Sequence, residues 1–176
     1  MHPLFPFSQN TSKITLSGSV ERLDEQSLKV TFHISDPRAS LIHGPQGELI
    51  KSEEERLIRK HELWKDTCFE FFFSLRESDD YYECNVNTKG EWNMYHFDSY
   101  REPQPPHETD AYHVVSIETK EGEIIATIRS EKVLPVTLEA GLTAIIMTND
   151  GESFYAVAHK GSEPDFHMRE SFILEV

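Results

Sequence analysis

The chain has 176 residues, with 17 Lys and Arg against 31 Asp and Glu, a formal net charge of −14 with the nine histidines neutral. So large an acid excess excludes DNA, RNA and anionic membranes as partners, because their phosphates repel it. Apolar content is only 38%, but aromatic residues reach 11%, which argues against disorder, and a chain of this length is expected to fold as one domain spanning residues 1–176.

Met1 to Asn10 carries neither a basic stretch nor a long apolar run, so no secretory signal is expected and a reducing cytoplasm is the expected setting. Asn10-Thr11-Ser12 satisfies the glycosylation pattern, which without a secretory route is expected to stay unused. Alternation of Leu28, Val30, Phe32 and Ile34 with Lys29, Thr31 and His33 predicts a strand with one face on a core. Comparable runs occupy residues 13–20, 67–75, 81–87, 92–98, 112–118, 124–129, 143–147, 153–159 and 171–176, most of them separated by turn residues such as Lys89-Gly90, Glu121-Gly122 and Asn149-Asp150-Gly151. About ten short strands without alternating helices predict an all-β fold, an antiparallel β-sandwich.

Two segments depart from that pattern. Ser52 to His61 predicts a short helical insertion, with Ser52 and Glu55 spaced as a capping box and the acids Glu53, Glu54 and Glu55 preceding Arg56, Arg59 and Lys60 along the macrodipole. Glu102-Pro103-Gln104-Pro105-Pro106-His107 is expected to be a stiff surface loop that cannot join a ladder.

Strand parity singles out residues 63–101. Phe69, Phe71 and Phe73 share one face of their strand, leaving Cys68, Glu70 and Phe72 on the other. A hairpin through residues 77–80 sets Glu70 across from Asn85 and near Glu83 and Asn87, so apolar faces coincide and polar faces coincide. The same register sends Cys68 and Cys84 to opposite faces, so no disulfide is expected between them. Asn is depleted in strands and neighbouring carboxylates repel, so a face carrying Glu70, Glu83, Asn85 and Asn87 is either a solvated surface with lateral hydrogen bonds or a binding face. Carboxylates and amides suit sugar hydroxyls or a hard cation such as calcium. Trp64 and Trp92 stand at loop ends, where an exposed ring can stack on a sugar, and the Arg101 guanidinium fork suits adjacent hydroxyls or a carboxylate.

The segments Leu63-Trp64-Lys65-Asp66-Thr67-Cys68-Phe69-Glu70-Phe71-Phe72, Tyr82-Glu83-Cys84-Asn85-Val86-Asn87 and Trp92-Asn93-Met94-Tyr95-His96-Phe97-Asp98-Ser99-Tyr100-Arg101 resemble bacterial DOMON-like proteins related to family 9 carbohydrate-binding modules. Pro164-Asp165-Phe166-His167 followed by Phe172 resembles the ending of that family, so the likeness runs from Trp64 to the C-terminus. It implies a jelly-roll-like sandwich in which two tryptophans enclose a terminal sugar, Glu, Asn and Arg bind its hydroxyls, and calcium is a structural option. The expectation is a non-catalytic module with a saccharide as partner, held by Trp64, Glu70, Glu83, Asn85, Asn87, Trp92 and Arg101, with no cofactor besides that optional calcium. One rival is a small glycoside hydrolase using Glu70 and Glu83 as its carboxylate pair. The other is a haem-binding domain with ligands among Met94, His96, His159 and His167.

Overall fold

The computed structural model describes residues 1–8, 13–37, 41 and 57–176. They form thirteen strands: β1 His2–Pro6, β2 Thr15–Arg22, β3 Ser27–Ser35, β4 Ile58–Arg59, β5 Cys68–Leu75, β6 Tyr81–Val86, β7 Glu91–Phe97, β8 His107–Glu108, β9 Tyr112–Lys120, β10 Glu123–Ser130, β11 Leu138–Thr148, β12 Gly151–Ala156 and β13 Leu174–Glu175. Single 3-10 turns at Leu63–Lys65 and Arg169–Ser171 are the helical elements among the described residues, and no helix among them is long and apolar enough to cross a membrane.

The all-β sandwich expected from the alternation is what forms. Eleven of them follow one path, β4-β7-β6-β5-β11-β12-β1-β2-β3-β10-β9, which curls over on itself, while β13 pairs with β11 and β8 with β7. β1 makes the fold-over, because His2–Leu4 pair with β2 while Phe5 and Pro6 pair with β12. Gly18 lies near this crease, where an added Cβ would stand 2.8 Å from Leu142 of the facing sheet; the bare backbone is what lets the two layers approach. Between them lies one continuous core, fed by Leu16, Val30 and Phe32 from one sheet and by Phe69, Phe71, Met94 and Leu142 from the other. At the opposite edge, the rings of Phe73, Tyr82 and Tyr112 pack 4.7–5.2 Å apart and close the gap.

The β5–β6 hairpin has the expected register, with Glu70 opposite Asn85 and Phe72 opposite Glu83. Cys68 and Cys84 accordingly lie on opposite faces, and both are free thiols. Three local expectations need correction. Residues 52–56 of the predicted insertion at Ser52–His61, Glu53–Glu55 among them, lie outside the described residues, as does Asn10-Thr11-Ser12, but the insertion's described half is extended: Ile58 and Arg59 form β4. Hydrogen bonds from Ile58 N–H to the Gly90 carbonyl and from Lys60 N–H to the Trp92 carbonyl tie this segment to β7, satisfying backbone groups that a helix would have turned inward. The β4–β7 pair is parallel, so the sheet is mixed rather than wholly antiparallel. The proline-rich segment ends its constraint at Pro106, and His107 pairs with His96 in β8 instead of remaining in the loop.

Candidate functional site

The outer face of the β5-β6-β7-β11-β12 layer receives the side chains that the core does not. Cys68, Glu70 and Phe72 of β5, Tyr81, Glu83 and Asn85 of β6, and Thr143 and Ile145 of β11 all point this way through ladder partnership. This face is not left in water: Glu70 is 3% exposed, Glu83 5% and Asn85 0%. Three segments cover it. The turn at Leu63–Lys65 presents Trp64, residues 98–106 present Arg101, Gln104 and Pro106, and the C-terminal loop presents Pro164, Phe166 and His167. Between them remains a cavity of about 250 Å³, floored by Glu70 and Glu83, walled by Trp64, Phe97, Phe154 and Phe166, and rimmed by Arg101, Gln104 and His167.

The floor is electrostatically tense. Burial pushes the Glu70 carboxyl well above its usual range, and the adjacent Glu83 pushes it further; burial likewise raises Glu83. Neighbours donate to both carboxyls: the Thr143 hydroxyl to Glu70 Oε2 at 3.0 Å, and Asn85 Nδ2 to Glu83 Oε1 at 2.7 Å. Asn85 Oδ1 is buried without a hydrogen-bond partner. His167 Nε2 lies 3.8 Å from Glu83 Oε2, yet burial and the nearby Arg101 hold this imidazole neutral, its pKa down at about 3. The Tyr81 hydroxyl accepts the Arg101 N–H at 3.1 Å and lies 2.8 Å from His167 Nδ1. By donating its own proton to Nδ1, it would leave Nε2–H facing Glu83. Arg101 adopts a left-handed backbone, φ 55°, and its guanidinium donates to Asp165 Oδ1 at 2.9 Å. The site therefore offers buried carboxyl groups below, a fixed guanidinium at the mouth and aromatic faces around.

Of the residues singled out from sequence, Trp64, Glu70, Glu83 and Arg101 line this cavity together. Asn85 lies beside it, bonded to Glu83. Asn87 and Trp92 are placed elsewhere. Asn87 closes the β6–β7 turn, its Oδ1 accepting the N–H groups of Lys89 and Glu91 and its Nδ2 donating to Glu91 Oε2 at 2.7 Å. Trp92 pairs with Val86 on the inner face and is 8% exposed within the main core, with the Arg59 guanidinium 5.2 Å from its ring centroid. A sugar enclosed between Trp64 and Trp92 is thus excluded by strand parity, because the two rings serve opposite sides of the sheet. The walls that parity alone did not reveal are Phe154 and Phe166, on strands and loops remote in sequence; Phe154 faces outward through its partnership with Ile145. Asp165 and His167 read from sequence either as ligand or metal binders or as groups whose hydrogen bonds close their loop, and His167 also as a haem ligand; the structure places His167 in the pocket lining. Asp165 closes the loop by accepting the His167 N–H at 3.0 Å.

Among the described residues, no group of three or more His, Cys, Asp and Glu side chains is placed to hold a metal ion. Met94 is sealed in the main core, and His96 sits at the sandwich edge with Asp80 and Asp98, so these two do not share a cavity. His159 packs against Phe7, and its Nε2–H donates to the Phe5 carbonyl at 2.8 Å.

Fold and site together define a curled β-sandwich with a blind, aromatic-walled pocket on the outer face of one sheet. No protein-family model matches this chain, and a search of curated proteins returns no match. Among solved structures, the fold is similar to that of a candidate carbohydrate-binding protein from Bacteroides uniformis, with a TM-score of 0.66 at 15% identity over 98% of this chain and 83% of that one.

Proposed function

We propose that this protein is a non-catalytic carbohydrate-binding module of the DOMON-like, family 9-related kind, holding one neutral sugar ring in the Trp64 pocket. The observation that carries the reading is the cavity itself, in which Trp64 and three phenylalanines surround two buried carboxyl groups, with a guanidinium at the mouth. Sugars present apolar faces that stack on rings and hydroxyls that need charged or amide partners. At about 250 Å³ the cavity falls below the roughly 300–1,000 Å³ of sites for drug-sized ligands, which favours a single ring over an extended chain. The shared fold with a candidate carbohydrate-binding protein supports the same reading.

Isothermal titration with glucose, galactose, xylose and their oligomers tests it. At least one sugar is expected to bind saturably to the wild type and at least tenfold more weakly to Trp64→Ala; absence of heat with every sugar would overturn the proposal. A second reading, glycoside hydrolysis, is favoured by one observation, the two buried carboxyls sharing a pocket. Release of nitrophenol from aryl glycosides, lost in Glu83→Gln, distinguishes that reading from binding alone.

A further inference from the structure

Arg101 and Pro164, at the mouth of the Trp64 pocket, also line a second cavity of about 390 Å³ on the outside. Tyr100 forms part of its wall. This ring is 55% exposed, an unusual position for a large aromatic, yet its hydroxyl is anchored, donating to Asp165 Oδ2 at 2.5 Å. The other oxygen of the same carboxylate accepts the Arg101 guanidinium at 2.9 Å and the His167 N–H at 3.0 Å. One side chain therefore fixes the exposed ring, the guanidinium and the loop that carries the pocket wall. The Arg101 Cζ lies 5.9 Å from the Tyr100 ring centroid, so the guanidinium braces the ring as well. An aromatic surface ordered before any ligand arrives removes part of the entropy cost of binding.

We propose that the outer cavity is a second sugar subsite, so that the ligand is a neutral oligosaccharide with one ring in the Trp64 pocket and the adjoining ring on Tyr100. This rests on the reading of the inner pocket as a sugar site. The inner pocket is floored by the sheet, and Arg101 and Pro164 form the rim it shares with the outer cavity, so one ligand can span the two across that rim. Glu163 beside the outer cavity offers acceptors to hydroxyls and repels acidic sugars, which favours neutral units.

The test compares a monosaccharide with its matching disaccharide by titration: glucose with cellobiose and maltose, xylose with xylobiose, galactose with lactose. On wild type, one disaccharide is expected to bind about 5- to 10-fold more tightly than its monosaccharide, the range expected of one added ring contact. Tyr100→Ala is expected to bring that ratio to about one while monosaccharide affinity stays within twofold; Tyr100→Phe, which keeps the ring, is expected to retain most of it. Equal affinities on wild type overturn the subsite without requiring any variant, as does a ratio that survives Tyr100→Ala. A protein that binds no sugar overturns the reading of the inner pocket as well, and is distinguished by the silent monosaccharide titration.

Discussion

Glu70 and Glu83 face a common cavity from adjacent strands, and neither has a cation in direct contact: Arg101 is engaged by Asp165, and His167 stays neutral. An ionised pair there would carry a large desolvation cost, and protonating Glu70 relieves it. A protonated Glu70 also gains a donor, and directly across the ladder Asn85 presents a buried carbonyl oxygen that lacks one. Glu70→Gln, which keeps the shape and the neutral state, is therefore expected to leave stability unchanged or raised, measured as the urea midpoint at pH 7. A loss above about 1 kcal/mol would show that the carboxylate charge is needed, since a lost hydrogen bond to a charged group costs roughly 1.5–3 kcal/mol. That these residues share a face was legible in the alternation. That the face is buried was not, because alternation separates two faces without saying what covers either.

At the scale of the element, the β6–β7 pair shows how parity sorts chemically similar residues. Asn93, Tyr95 and Phe97 turn outward with Glu83, whereas Trp92 and Met94 turn into the core. Trp64 and Trp92 should consequently separate by experiment. Trp92→Phe is expected to cost about 1–3 kcal/mol of stability through incomplete filling of a packed site, with sugar affinity within twofold of wild type; Trp64→Ala is expected to weaken binding with a smaller cost in stability. Comparable effects of both substitutions on affinity would contradict the assignment of Trp92 to the inner face. β4 carries the complementary lesson. Its sequence has the charge order of a helix end, but the free edge of β7 offers backbone partners, and tertiary pairing overrides a local propensity worth only tenths of a kcal/mol per residue.

Across the whole molecule, buried titratable groups predict a stability that peaks in mildly acidic solution. The raised Glu70 and Glu83 are protonated in both states below their unfolded pKa near 4.3, and their burial penalises folding increasingly as pH rises above it. His167 acts oppositely: with a folded pKa of about 3 against about 6.5 unfolded, it favours folding fully above about pH 6.5 and progressively less as pH falls toward 3. Asp80, Glu91 and Asp165, lowered by hydrogen bonds and by neighbouring His96, Lys60 and Arg101, add stability above their unfolded pKa values near 4 that is lost at lower pH. Above about pH 6.5 only the raised pair still titrates among these groups. The thermal midpoint is thus expected to fall between pH 6.5 and 8.5 and to fall less in Glu70→Gln; a wild-type midpoint that rises over that interval would refute the burial-driven shifts.

The amino-acid sequence by itself determined the all-β character, the β5–β6 register and the co-facial placement of Glu70, Glu83 and Asn85. Each of these is set by period-two alternation and a short hairpin connection, both local in the chain. Only the tertiary structure decided that this face is roofed rather than solvated, that Trp92 belongs to the core, and that Phe154, Phe166 and His167 complete the pocket around Trp64. Those outcomes depend on which face of the sheet meets the second layer and on loops arriving from nearly a hundred residues away. Contacts of that range are selected by the packing of the whole curled sheet, and no local pattern of side chains encodes them.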